Sequence, residues 1–305
     1  VYAPPMRERF FPTFLISREP IVIGERLRDE NNQIRGNGYR AFIEHLLEEG
    51  RYNDALQFLP RVKVNPTGDE PFTMPEFFKM IRGVGWKASI QRLRETLSGT
   101  HHLWKIRVEG RGKKVRYVLE DPITDFNNPQ SNRAIEGDPV LPRQPISSIT
   151  AIAAEEYIRW RSTLDGRPYR LPHPDEMEKA TRGSFPLTYP WGYDFNPNFL
   201  ASRMAHKSIE DCFPHPVGEH PLGEAWNRDR SIYGLVEPLG NIREFVQAPD
   251  NLPNLIGLFG GSIRVPYGPF FLPAARVYQN RTAAEDGIGG LRLILDLPPP
   301  DPEFR

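Results

Sequence analysis

Gly166-Arg167-Pro168-Tyr169-Arg170-Leu171-Pro172-His173-Pro174-Asp175-Glu176-Met177-Glu178-Lys179-Ala180-Thr181-Arg182-Gly183 is the stretch on which the fold turns. It holds one helix stop and one complete short helix. Gly166 closes a preceding helix over 150–163, which Thr150 caps and in which Ala153, Tyr157 and Trp160 are spaced to face a core. Pro174 suits a first helical position, Asp175 and Glu176 fall in the first turn, and Gly183 follows Arg182 at the end. Acids at the start and a base at the finish both match the helix dipole.

Upstream, Phe14-Leu15-Ile16 and Ile21-Val22-Ile23 read as an opening strand and a turn around Pro20. Phe42, Ile43, Leu46 and Leu47 recur at helical spacing with Gly50 as the stop, and Asn53 is read as the N-cap of a short helix carrying Leu56 and Leu59. From about Arg61 to Arg143 the character changes. A Pro/Gly loop leads to a helix with Ile90, Leu93 and Leu97 on one face. A hairpin follows, in which Trp104, Ile106 and Val108 alternate with basic residues and oppose Val115, Tyr117 and Leu119 across Glu109-Gly110-Arg111-Gly112. Downstream of Thr188 the pattern is short strands and long polar loops, with Gly290-Leu291-Arg292-Leu293-Ile294-Leu295 as a buried terminal strand and a frayed tail from Pro298 to Arg305.

Composition narrows the class. The chain has 305 residues and is 39% hydrophobic, enough for a substantial core, while 32 Pro and 25 Gly imply much irregular backbone. A split near Asp121 to Pro145 is possible, but one domain with an insertion at about 61–143 is the better reading, because the first 60 residues carry too little apolar surface to stand alone. Basic and acidic residues balance at 39 each, so no global field draws the chain to nucleic acid or an anionic membrane. Ten Arg or Lys between Arg82 and Arg116, against Glu95 and Glu109, could form a patch for phosphate or an acidic partner, but no aromatics are interleaved on that polar face and it reads as a solvated one. No apolar run approaches the roughly 20 residues that span a bilayer, so a soluble chain is expected. The compartment stays open, with the cytoplasm favoured. The first residue is Val1, which suggests a processed chain or a piece of a longer one. Cys212 stands alone, which excludes an internal disulfide.

Four ordered blocks then resemble the formylglycine-generating-enzyme (sulfatase-modifying factor) family. The opening stretch resembles GRPYRLPTEAEWEKAARG, with Met177 in place of a tryptophan. Tyr189-Pro190-Trp191-Gly192 matches YPWG, and Tyr233 to Phe245 resembles YGLYDMAGNVWEW. Gly260-Gly261-Ser262, Ala274-Ala275-Arg276 and Gly289-Gly290-Leu291-Arg292-Leu293 resemble GGSW, AAR and GFRL. Phe14 to Val22 resembles the family's opening strand, particularly in domains fused behind bacterial serine/threonine kinases, whereas 61–143 matches no named motif. The resemblance implies an α+β, C-type-lectin-like fold of short antiparallel sheets, few helices and long irregular loops.

The family's oxidases hold copper(I) with two cysteines, and soft copper(I) needs thiolates. Their positions fall here on Gly268 and Pro273, so no copper is expected. The histidine triad of the ergothioneine sulfoxide synthases is also missing. His215 and His220, near Glu219 and Asp211, are read as turn or surface residues rather than a zinc site. Calcium is the remaining metal: the resemblance implies ligation by Glu237, Gly240, Ile242 and Glu244, with hard oxygens suited to that ion, and a second site at Asp211 and Phe213. The alternative is that Glu244 makes a salt bridge, with Asn241 supplying left-handed geometry.

Two function classes remain. The first is a non-catalytic ligand- or protein-binding domain, presenting Arg264, Tyr267, Phe270, Tyr278, Gln279 and Asn280 on supported loops, unless Phe270 and Phe271 are core. It would be the sensor or interaction part of a bacterial kinase, or a variable protein diversified by a retroelement. The second is an enzyme with altered, copper-independent chemistry, for which Ser262, Arg264, Arg276 and Arg292 offer no evident nucleophile and base pair.

Overall fold

A computed structural model describes residues 13–24, 27–31, 34–63, 100–102, 104, 106–110, 115–119, 143–184, 187–205, 214–218, 228–263, 265, 268–284 and 288–298. The helix expected around Ile90 to Leu97, most of the basic stretch 82–116, Cys212 with its neighbours Asp211 and Phe213, His220 and the tail from 299 lie outside them.

Strands β1 (Phe14–Ile16), β2 (Leu27–Arg28) and β3 (Ile34–Arg35) precede helices α1 (Tyr39–Glu48) and α2 (Tyr52–Phe58). Gly50 ends α1 at φ 75°, as its backbone freedom allows. Asn53 does not cap α2: Arg51 holds that position and Asn53 sits inside the first turn, where the Arg51 guanidinium pairs with Asp54 at 2.8 Å. β4 (Arg61–Lys63) pairs with β5 (Thr100–His102), and β6 (Ile106–Glu109) forms the expected hairpin with β7 (Arg116–Leu119), Ile106 opposite Leu119 and Val108 opposite Tyr117.

Helix α3 (Ala151–Asp165) begins at Thr150, whose hydroxyl accepts from the Ala153 amide, and stops at Gly166 in the left-handed conformation. β8 (Tyr169–Arg170) leads to α4 (Pro174–Arg182). Its cap is His173: Nδ1 accepts from the Asp175 amide while Glu176 reaches back to the His173 amide, a reciprocal box built with an imidazole. β9 (Arg243–Val246), β10 (Leu255–Phe259), β11 (Val277–Asn280), β12 (Ile288–Gly290) and β13 (Ile294–Asp296) complete the described elements.

The architecture is α+β. A four-stranded sheet runs β11-β10-β9-β12 and a three-stranded sheet runs β1-β13-β8. All pairings are antiparallel except β9 with β12, which is parallel. The expected single strand over Gly290 to Leu295 is two. β12 ends in the larger sheet at Gly290 and β13 starts in the smaller one at Ile294, because Arg292 between them turns inward to meet a buried acid. The principal core joins α1 (Phe42, Ile43, Leu46), the hairpin (Trp104, Ile106, Leu119), α3 (Ala154, Tyr157) and the larger sheet (Phe245, Leu258). A second cluster packs Met177 and Tyr189 against Leu239 and Phe259.

Candidate functional site

The loop leading into β9 is built from its own polar side chains. Ser231 Oγ accepts from the amides of Tyr233 and Leu235, and Arg230 bridges to Val236, closing a tight turn. Glu237 and Asn241 then take positive φ, 52° and 65°. Asparagine tolerates that conformation and here uses its whole amide: Oδ1 accepts from the His215 amide, and Nδ2 donates to the His215 carbonyl and to Glu237 Oε2. Glu237 Oε1 accepts from the Gly218 amide at 3.0 Å. Asp229 Oδ2 accepts from Leu239 and Gly240 at 3.1 and 2.7 Å, whereas its Oδ1 is buried with no hydrogen-bond partner. Burial pushes the carboxyls of Asp229 and Glu237 each up to about 7, with the donated amide hydrogen bonds pulling the other way.

Glu244 is as buried as Asp229. Arg292 Nε donates to both of its oxygens, at 2.8 and 3.1 Å, Nη2 donates to the Val236 carbonyl and Nη1 to that of Arg18, both at 2.5 Å. Burial raises the Glu244 carboxyl while Arg292 opposes it.

Of the four residues expected around calcium, three therefore meet hydrogen-bond donors. Both Glu237 oxygens accept N–H groups, the Gly240 carbonyl accepts from the Ile242 amide at 2.8 Å, and the Glu244 carboxylate is taken by a guanidinium. In this arrangement the loop fits an internal cation, Arg292, better than a dication. No three His, Cys, Asp or Glu side chains among the described residues gather as a metal centre would require.

The ligand-binding candidates separate into different environments. Phe271 is fully buried, while the Phe270 ring lies 4.6 Å from the Arg243 guanidinium, a cation–π contact. Tyr278 is half-buried on β11, an edge strand opposite Gly257 of β10. Asn280 is exposed, and its Oδ1 accepts from the amide and hydroxyl of Thr282, fixing the turn that follows. Gln279 alternates with Tyr278 and so takes the other face of β11, which Val277 packs against the principal core. Its amide nitrogen and oxygen are both buried with no partner. Arg264 and Tyr267 lie outside the described residues.

Behind this face, Arg276 of the AAR block donates from Nη2 to Asp175 and Glu178 at 2.8 and 2.7 Å, tying the segment to α4. Gly268 and Pro273 border it. A Cβ at Gly268 would meet the Phe195 ring at 3.5 Å, ordinary contact, and Pro273 is buried. Neither residue carries a sulfur, so the positions that would grip copper(I) do not fit that ion.

With this geometry in view, a family model described as "Sulfatase-modifying factor enzyme 1-like domain" matches residues 68–296. The chain belongs to this family. The match reaches back through the 68–143 stretch, where no motif is legible. Among solved structures, this sulfatase-modifying-factor-like chain is similar to PvdO from Pseudomonas aeruginosa, at 22% identity over 51% of this chain and 63% of that one, with a TM-score of 0.42. It therefore spans less than two thirds of PvdO. CarF matches at 17% identity over 51% of this chain and 69% of its own, TM-score 0.40. Treponema denticola variable protein 1 matches at 14% identity over 93% and 84%, TM-score 0.39. No curated protein matches. No helix among the described residues is long and apolar enough to cross a membrane.

Asp229 emerges as a site residue that motif reading passes over. Asp229 stands between Arg228 and Arg230, a context that reads as surface, and only the amides it accepts from, ten and eleven positions on, reveal its role.

Proposed function

We propose that this family member is a non-catalytic binding domain, serving as the ligand- or protein-recognising part of a larger bacterial protein such as a kinase. The observation that carries the reading is the pair Gly268 and Pro273, where the family's oxidase chemistry would place two thiolates. Thiolate-free positions cannot hold copper(I) or present it to dioxygen. The contact surface is the 268–284 segment, held from behind by Arg243 on Phe270 and by Arg276 on α4. A rigidly backed loop carrying aromatic and amide groups loses little entropy on contact.

The test is oxygen uptake by purified protein supplied with copper(I) and a cysteine-containing peptide. Uptake no faster than with copper(I) and peptide alone is the expected result. Protein-dependent turnover, with aldehyde formed on the peptide, overturns the proposal.

A further inference from the structure

A groove of about 370 Å³ opens on the β1-β13-β8 sheet, a different sheet from the one that carries β11. Its floor follows from strand register. Leu15 pairs with Leu295 and Leu295 with Tyr169, so the three side chains form one rung across the sheet. The neighbouring rung, Ile16 and Ile294, faces the opposite way: Ile294 is fully buried and Ile16 packs on the second core cluster. Leu15 is 54% exposed, an apolar side chain left uncovered over a concave surface.

The walls carry fixed polar groups. Asp165 accepts from Arg161 Nε at 2.8 Å and from the Tyr169 hydroxyl at 3.0 Å, and Arg161 Nη1 donates to the Asn37 carbonyl. The acid of the wall, Glu19, lies 3.5 Å from the Arg143 guanidinium. One wall charge remains unbalanced: the exposed Arg167 guanidinium has no side-chain partner among the described residues. The volume falls in the range of small-molecule clefts, about 300–1,000 Å³, rather than of protein interfaces. A planar guanidinium recognises a carboxylate through paired N–H donors.

We propose that this groove binds a small amphipathic carboxylate, with its apolar body on the Leu15–Leu295–Tyr169 rung and its carboxylate on Arg167.

Octanoate serves as the probe, titrated calorimetrically into the full chain, with octanol as the uncharged control. Saturable one-to-one binding of octanoate is expected, with octanol weaker by roughly tenfold. Arg167→Gln should weaken octanoate by about the same factor and leave octanol unchanged. Leu15→Asp should weaken both ligands. Arg167 and Leu15 are exposed, so thermal midpoints of the two variants should stay at the wild-type value, which separates lost binding from lost folding. No binding of octanoate, equal binding of octanoate and octanol, or octanoate affinity unchanged by Arg167→Gln would each overturn the assignment.

Discussion

Arg292, fully buried, donates its Nε to both carboxylate oxygens of Glu244, 48 positions earlier in the chain. The pair joins the point where the chain leaves the larger sheet to the strand at that sheet's centre. Removing one partner strands a charge in a medium that cannot solvate it. Arg292→Leu and Glu244→Leu should each cost about 3–5 kcal/mol in urea unfolding. The double variant should cost less than the sum, since no lone charge remains.

Calcium should leave the thermal midpoint unchanged. Arg292 already supplies positive charge to Glu244, and N–H donors already meet both Glu237 oxygens. Scanning calorimetry with millimolar calcium and then with chelator checks this. A calcium-dependent rise would show that the loop rearranges to take the ion.

Stability should fall as pH rises from about 4 to about 7. Asp229 and Glu237 are both pushed up to about 7 in the fold, above their unfolded values of about 3.9 and 4.3. A raised carboxyl binds its proton more tightly when folded. Its burial is therefore free of charge penalty below the unfolded value, and the penalty is complete above the folded one. Each group contributes a slope of up to about 1.4 kcal/mol per pH unit in that window. Asp229→Asn cannot titrate, so its urea midpoint should fall less between pH 5 and pH 8 than that of the wild type.

Gln279→Leu should stabilise the free protein by about 1–2 kcal/mol. The substitution removes two buried polar atoms that find no partner and keeps much of the side-chain volume.

Gly289→Ala should destabilise by about 2–3 kcal/mol or more. Gly289 has φ 97°, and an added Cβ would sit 2.6 Å from the Ile149 carbonyl oxygen, which is backbone and cannot swing away. Urea denaturation of the variant measures the cost.

The sequence by itself determined the local structure: Thr150 and Gly166 bound α3, Pro174 and Gly183 bound α4, and alternation marked the two strands of the hairpin, although its register, Ile106 opposite Leu119 with Glu109 inside the strand, differs from the one a turn at Glu109 to Gly112 implies. These signals act over a few residues, through capping hydrogen bonds, fixed φ and strand period, so they survive without knowledge of the rest of the chain. The ordered motifs likewise gave the family, and the residue types at 268 and 273 excluded a thiolate pair. His173 as a cap went unseen because imidazole rarely fills that place, although Glu176 three residues on marked the box.

Only the tertiary structure decided that Gly290 to Leu295 divides between two sheets, that Arg292 lies against Glu244, and that Asp229 is an interior acid. It also set Gln279 inside and Asn280 outside on the same strand. The reason is common to the first three. An apolar run looks alike whether it forms one strand or crosses between two, and a charged residue looks alike whether solvated or buried. Which holds depends on partners 10 to 48 positions away. Their pairing offsets a desolvation cost that no local pattern encodes.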